Sequence, residues 1–284
     1  MVRGFPARLG KYSRRRCKML IRKVDHTICR VIASPTTQFD MPDPSLADLF
    51  ETHFEVVPAD QSHLLEKVFR IRHQVYCEEL GFEPNRTSRL EHDEFDKNSV
   101  HCLLLHKASQ TYVGCVRLVL ADSQAPELGF PFEQVCGSSS RWAVDQAGRK
   151  KYGEISRLAI TANFRRPRNF GAPLDGMPPK LDARDEEARR LFPSIAVGLY
   201  LAVAAMGLSK GLDGVFAMME PRLARQLSHF GIHCEQAGHA VEHRGTRAPY
   251  FISRKSLLDN LKLECKTLLS KIQGCLALPY APYA

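Results

Sequence analysis

GEISRLAI, residues 153–160, is the stretch that decides the fold. Ile155, Leu158 and Ile160 give it the look of a strand fit for burial. Yet it carries Glu154 and Arg157, and charges inside an apolar strand are costly unless paired. The two are three residues apart, so a regular strand sends them to opposite faces. A β-bulge between them brings both to one side. Bulges recur beside active sites and splay neighbouring strands. Such a splay opens a slot in which an extended chain can lie.

Working outward, FEVVPA (54–59), Val100 to His106, VGCVRLVL (113–120) and VFAMME (215–220) read as further strands. KASQTY joins the second of these to the third as a hairpin connection. IHCEQAG and PYFIS are strand-like. Asp43, Pro44 and Ser45 give helix-start chemistry before LADLFETHF. Ser62 to Leu80 reads as a helix with Leu65, Phe69, Tyr76 and Leu80 on its buried face, closed by Gly81. Residues 83–89 are polar loop. A long loop is expected over 163–190, and loops of that length are often functional. Pro193 and Ser194 open an apolar helix to Leu208, Pro221 to Phe230 forms another that Gly231 stops, and Ser256 to Leu276 forms the last. This mixture predicts an α/β (α+β) architecture, one central mixed sheet flanked by helices.

Composition narrows the function. The net charge is +9, but residues 1–40 hold ten Lys/Arg and two Asp/Glu, leaving the other 244 residues at +1. The body, 41–284, is expected to be a single domain. The arm, 1–40, is expected to be a disordered basic extension, with Met41 an alternative start. A contact of the arm with a membrane surface is conceivable, and no nucleic-acid partner is expected. No apolar segment with a small-residue cleavage site follows the basic start. The apolar run Ile195 to Leu208 has about 14 residues, short of the ~20 that a bilayer needs. Nine cysteines, none spaced C-x-x-C and several inside apolar runs, fit free buried thiols in a reducing cytoplasm. Cys77 is read as one of these. His229, His233, His239 and His243 have tempting spacings, but glycines interrupt them and no metal site is expected.

The remaining charges beside apolar strands form a set. Arg72 and Tyr76 share a helix face, Glu91 and Asp93 point the same way in an extended segment, and Asp96 follows a turn. The expected network sets Arg72, Arg117 and Arg157 against Glu91, Asp93, Asp96 and Glu154.

These residues carry a family resemblance. The series R-x-x-x-Y…F, E-x-D-x-x-D, V-R-L and E-I-S-R-L-A is similar to the acyl-homoserine-lactone (autoinducer) synthase pattern over about 55–165. Arg72, Tyr76 and Phe82 stand at that family's Arg, Phe and Trp. Glu91, Asp93 and Asp96 stand at its acidic trio, Arg117 at its third-motif Arg, Phe132 at a Phe, and Glu154 and Arg157 at its E-x-S-R. Over about 45–255, VFRIRHQVYCEELGF, LEHDEFDKNSVH, FAMMEPRLARQLSHFGI and HRGTRAPYF resemble the PEP-CTERM/exosortase system-associated acyltransferases, relatives of N-acyl amino acid synthases.

The resemblance implies an acetyltransferase-like (GNAT) fold with a mostly antiparallel sheet. It implies transfer of a fatty acyl chain from an acyl carrier protein, as its phosphopantetheine thioester, to an amine or amino acid. No bound cofactor is implied. ANFRRPRNFG (162–171) lacks the Gly-rich pyrophosphate loop of coenzyme-A users, which favours the carrier protein as donor. Glu154, or else Glu91, is the candidate proton acceptor. Arg72, Tyr76, Phe82, Asp93, Asp96, Arg117, Phe132 and Arg157 are expected to shape the substrate site, with the chain lying between the sheet and helix 194–208. An acyl-homoserine-lactone synthase and a non-catalytic acyl-carrier or lipid-binding module are the alternatives.

Overall fold

The computed structural model describes residues 45–137, 148–165 and 183–277, with side chains from 195 onward in the last segment. The basic arm, its membrane contact and the middle of the expected 163–190 loop lie outside the described residues.

Strand order follows from pairing. β1 (Phe54–Pro58), β2 (Ser99–His106), β3 (Thr111–Leu120) and β4 (Tyr152–Ile160) form an antiparallel run. β5 (Gly214–Met219) joins β4 in parallel, and β8 (Thr246–Ser253) closes on β5 antiparallel. The short strands β6 (Glu235–Gln236) and β7 (Val241–Glu242) pair with β8. The result is the mixed, mostly antiparallel sheet that the sequence predicts. The alternating β2 and β3 bury Cys102 to Leu105 and Val113 to Val119 between layers, because both faces of the sheet are covered.

Helix α1 (Leu46–His53) starts where Ser45 accepts the Asp48 backbone N–H. Helix α2 (Ser62–Arg72) packs on one face of the sheet. Its core face is Leu64, Val68, Ile71 and Val75, one residue ahead of the expected stripe; Leu65, Phe69 and Tyr76 are only half-buried. From His73 to Glu79 the same helix widens into a π-helix, which ends at Gly81 with φ of 63°. The expected stripe runs through Tyr76 and Leu80, in and beyond the π segment and only half-buried, so it lies one residue out of phase with the buried face.

Helices α3 (Pro131–Cys136) and α4 (Ala162–Arg165) are short. Helix α5 runs Ala183–Ser209, so it begins ten residues before the expected start at Pro193. Its first turns, ARDEEARR, are rich in strong helix formers. The loop expected over 163–190 is therefore helical at both ends. α6 (Pro221–Leu227) passes into a 3-10 turn at Ser228–Phe230. The expected C-terminal helix is two, α7 (Arg254–Asn260) and α8 (Leu263–Ala277). The break is at Leu261, ψ 130°, where the Lys262 N–H turns to the Phe230 carbonyl.

α5 and α8 cover the sheet face opposite α2, and α1 packs against both. The closest approach there is at Gly198. A Cβ on it would stand 2.0 Å from Phe50 Cε2. Gly198→Ala is expected to destabilise the protein by ~1–3 kcal/mol through overpacking. Urea denaturation checks this, and a loss below about 0.5 kcal/mol, the range of a neutral surface change, would contradict the packing.

Candidate active site

Strands β4 and β5 pair only from Tyr152↔Gly214 to Ile155↔Ala217. Beyond that point β4 continues with β3 and β5 continues with β8, so the sheet splits. The cause sits on β4. Ser156 faces Arg117 and Ala159 faces Cys115, so three residues on β4 span two on β3. The extra residue is a bulge at Arg157–Leu158, and Arg157 takes φ of 51°. That region is costly for a residue with a Cβ, ~1–2 kcal/mol.

Side chains around the bulge hold it in place. The Arg157 guanidinium reaches Asp93 at 3.0 Å and Glu83 and Glu91 at 3.3 Å, and lies 5.7 Å from the Tyr76 ring centre. The Tyr76 hydroxyl donates to the Leu158 carbonyl at 2.7 Å. The π-turn supplies this reach, since it carries Tyr76 to β4.

Behind the bulge lies the ion-pair network. Arg72 is fully buried and donates to Glu91 at 2.5 Å and Asp96 at 2.6 Å. Arg117 pairs with Asp93 at 2.5 Å and Asp96 at 2.8 Å, and its Nε donates to Ser156. Asp93 and Asp96 also cap each other's 3-10 turn at Glu94–Asn98. Burial opposes the charge of Glu91, but Arg72 and Arg157 outweigh it and hold its carboxyl below the usual range. The same contest, won by Arg117 and Arg72, depresses Asp93 and Asp96. His101 stands 3.6 Å from Asp96, yet burial, helped by Arg72 and Arg117, pushes it down to about 4, so it is neutral at pH 7.

Glu154 stands outside this network, contrary to the sequence expectation. It pairs along β3 with Val119, a register in which the next ladder step, not its own, meets Arg117's neighbour Leu118. Its Oε2 accepts the Phe132 backbone N–H at 2.8 Å. Burial drives its carboxyl up to about 8, against the smaller pull of that hydrogen bond and of Arg117. Glu91 is the reverse case: fully buried, doubly paired and absent from the cavity wall. A carboxylate so held makes a poor proton acceptor.

The cavity occupies the mouth of the split, with a volume of about 420 Å³. Glu154 to Leu158 form one wall and Ala217 to Glu220 the other. Of the sequence-chosen residues, Tyr76, Phe82, Asp93, Arg117, Phe132, Glu154 and Arg157 line it. Arg72, Asp96 and Glu91 do not; they brace it from behind. Phe132 stacks on Phe216 at 4.8 Å, which places helix α3 over Glu154. The residues that sequence reasoning did not place at the site are His243 and Arg244 on the β7–β8 turn, Arg247 at the start of β8, and Arg165, which pairs with Glu79 at 2.5 Å. A turn that returns to the site from the far edge of the sheet leaves no local spacing to detect.

A second, apolar crevice of about 50 Å³ opens between the sheet and α5. It shares Ile155, Tyr200, Ala217 and Met219 with the main cavity, so the two adjoin across these side chains. Cys77 is buried away from the site, and burial and Glu91 push its thiol up, the opposite of an activated nucleophile. Among the described residues no group of three or more His, Cys, Asp or Glu is placed to hold a metal. Nor, among them, is any helix long and apolar enough to cross a membrane.

Removing one partner of a buried ion pair strands the other. Glu91→Gln is therefore expected to cost ~3–5 kcal/mol in urea unfolding. A cost below about 1 kcal/mol, as for an exposed pair, would show that the network is not dry.

Residues 71–172 match the family model described as the acetyltransferase (GNAT) domain. That span holds the π-turn, the acidic trio, β3, β4 and the bulge, and the sheet is of the acetyltransferase-like kind. Among solved structures, TofI in a ternary complex with an inhibitor and MTA is 18% identical, with 75% of this chain and 99% of that chain covered and a TM-score of 0.49. BjaI, a CoA-dependent acyl-homoserine lactone synthase with SAM and isopentyl-CoA, is 21% identical over 78% and 89%, TM-score 0.47. FeeM, an N-acyl amino acid synthase from uncultured soil microbes, is 13% identical over 74% and 96%, TM-score 0.48. No curated protein sequence matches the chain.

Proposed function

We propose that this chain is an N-acyltransferase that moves a fatty acyl group from a carrier-bound thioester to an amine, in the manner of an N-acyl amino acid synthase. The observation that carries the reading is Glu154: a carboxyl with a pKa raised to about 8, on the wall of a cavity at a splayed strand pair and, among the described residues, without the ion pairs that fix each carboxylate of the acidic trio. The GNAT-domain match over 71–172 supports the reaction class.

The reaction needs a neutral amine, a held carbonyl and a place for the oxyanion. The ionised Glu154 takes a proton from the acceptor's ammonium, directly or through water. The amine nitrogen then attacks the thioester carbonyl. A C–N bond forms, the C–S bond breaks, and the thiol leaves with the second amine proton. Backbone N–H groups freed where β4 and β5 part are the natural oxyanion donors. A base of pKa near 8 is well matched to an ammonium, better than a carboxylate in the ordinary range. The acyl chain enters the apolar crevice beside α5. At about 50 Å³ this crevice must widen for a long chain, and Met219 on its wall is an adaptable side chain.

An acyl carrier protein is the proposed donor, because ANFRRPRNFG lacks a Gly-rich pyrophosphate loop. The resemblance to PEP-CTERM/exosortase-associated acyltransferases supports the same assignment. Its reach from about residue 45 supports 41–284 as one catalytic domain beyond the arm, and the free, mostly buried cysteines support the cytoplasm as the location.

Mass spectrometry of lipid extracts from cells expressing the protein, beside cells expressing Glu154→Gln, tests the reading. New N-acyl amino acids are expected only with the intact residue. Acyl-homoserine lactones would replace this reading by an autoinducer synthase, and no new lipid would favour a binding module. With purified protein, kcat/KM should rise with pH through about 8 as Glu154 ionises. Glu154→Gln should lower kcat by ~10²–10⁴.

A further inference from the structure

Helix α5 lays one face along the apolar crevice, with Tyr200 at the cavity end, then Ala204, Gly207 and Leu208. These positions share one side of a helix. The buried Gly207 is out of place by local chemistry, because glycine is the poorest helix former after proline. The backbone does not call for it: its φ is not among the positive ones, so any residue fits the conformation. Nor does the packing. A Cβ there would stand 3.6 Å from Val215 Cγ1 and 3.9 Å from Leu212 Cδ1, ordinary contact distances. Gly198 in the same helix is the opposite case, since Phe50 occupies the place of its side chain. Gly214 is likewise fixed by packing, with Phe251 in the way of a Cβ. What a side chain at 207 would fill is the crevice itself, which Val215 and Leu212 also line.

The crevice leads away from the cavity along this face, so positions on α5 mark distance from the reacting centre. Gly207 stands ~10 Å past Tyr200 at the α-helical rise. An extended alkyl chain advances ~1.25 Å per carbon, from bonds of about 1.5 Å at near-tetrahedral angles. We propose that Gly207 sets the length of the acyl chain: its missing side chain lets a straight chain run on beyond about eight carbons from the Tyr200 end. Ala204, ~6 Å past Tyr200, is the nearer mark, at about five carbons. This rests on the N-acyltransferase reading and adds which acyl donors it takes. Helix stability is given up at 207 in exchange for room.

The test uses the full chain and acyl carrier proteins loaded with saturated chains of graded length, with wild type, Gly207→Leu and Ala204→Leu side by side. Each leucine should cut kcat/KM for donors longer than its mark by about tenfold or more relative to shorter ones, the scale of one methylene too many in an apolar pocket. The Ala204→Leu cut-off should fall about three to four carbons below that of Gly207→Leu, because the two positions are ~4.5 Å apart along the helix. Saturated fatty acids of the same lengths, titrated into the same proteins by calorimetry, read the crevice without a transfer step. Their affinity should stop rising at the same cut-offs. Gly207→Ala adds a readout that a merely structural glycine would reverse: its urea midpoint should rise while its longest donors weaken. A lower midpoint would show that packing requires the glycine and would overturn the inference. So would one chain-length profile shared by wild type and both leucine variants, or one cut-off shared by the two variants; the acyltransferase reading would stand. No N-acyl product from any donor, with the cut-offs still present in fatty-acid binding, would sink that reading and keep the gauge. No product and no cut-off would sink both. Should a leucine variant not fold, Gly207→Ala decides alone.

Discussion

A fully buried guanidinium has to be paired, and Arg72 organises the molecule around that requirement. It draws Glu91 and Asp96 inward from the loop after α2, and Asp96 in turn shares Arg117 with Asp93. Glu91 and Asp93 both also reach Arg157. The network thus links α2, the acidic loop, β3 and β4. Its service is geometric more than energetic, since buried ion pairs return little beyond their desolvation cost. It holds Arg157 in a left-handed conformation that the residue would not choose, and that conformation is the bulge that parts β4 from β5.

The same arrangement sets the chemistry of Glu154. Every acid of the trio is claimed by an arginine and depressed, while Glu154, two residues along β4 from the ladder step that holds Arg117, receives among the described residues only the Phe132 N–H. Two environments within one short stretch of sheet push carboxyl pKa values apart, which is how a site assigns its roles among chemically identical groups. Stability and function are at odds at this one position. Burying an ionisable group there disfavours its charged form, and the reaction needs that form.

Much of this was legible in the sequence. The charged residues inside apolar strands announced a buried network, and the three-residue gap between Glu154 and Arg157 announced a bulge. The bulge fell at Arg157–Leu158, after Ser156, and not between the two charges as expected. Which acid the network would omit was not legible, because all four carboxylates have the same residue chemistry and the choice depends on three-dimensional reach. The β7–β8 turn was missed for a related reason: HRGTR shows only a turn with flanking basic residues, and its return to the cavity is a property of sheet order. The helix phase at Leu64 rather than Leu65 was missed because the expected stripe runs through the half-buried Tyr76 and Leu80, and the start of α5 was hidden because Pro193 suggested a beginning that the helix-forming residues upstream override.

The central claim is that Glu154 alone among these carboxyls is protonated at neutral pH. Infrared difference spectroscopy of the protonated-carboxyl stretch, recorded on a pH titration of the wild type against Glu154→Gln, measures it directly. The account predicts one protonated-carboxyl band at pH 7 that disappears with a midpoint at about 8 and is missing from Glu154→Gln. No such band at pH 7, or the same loss in both proteins, would contradict it.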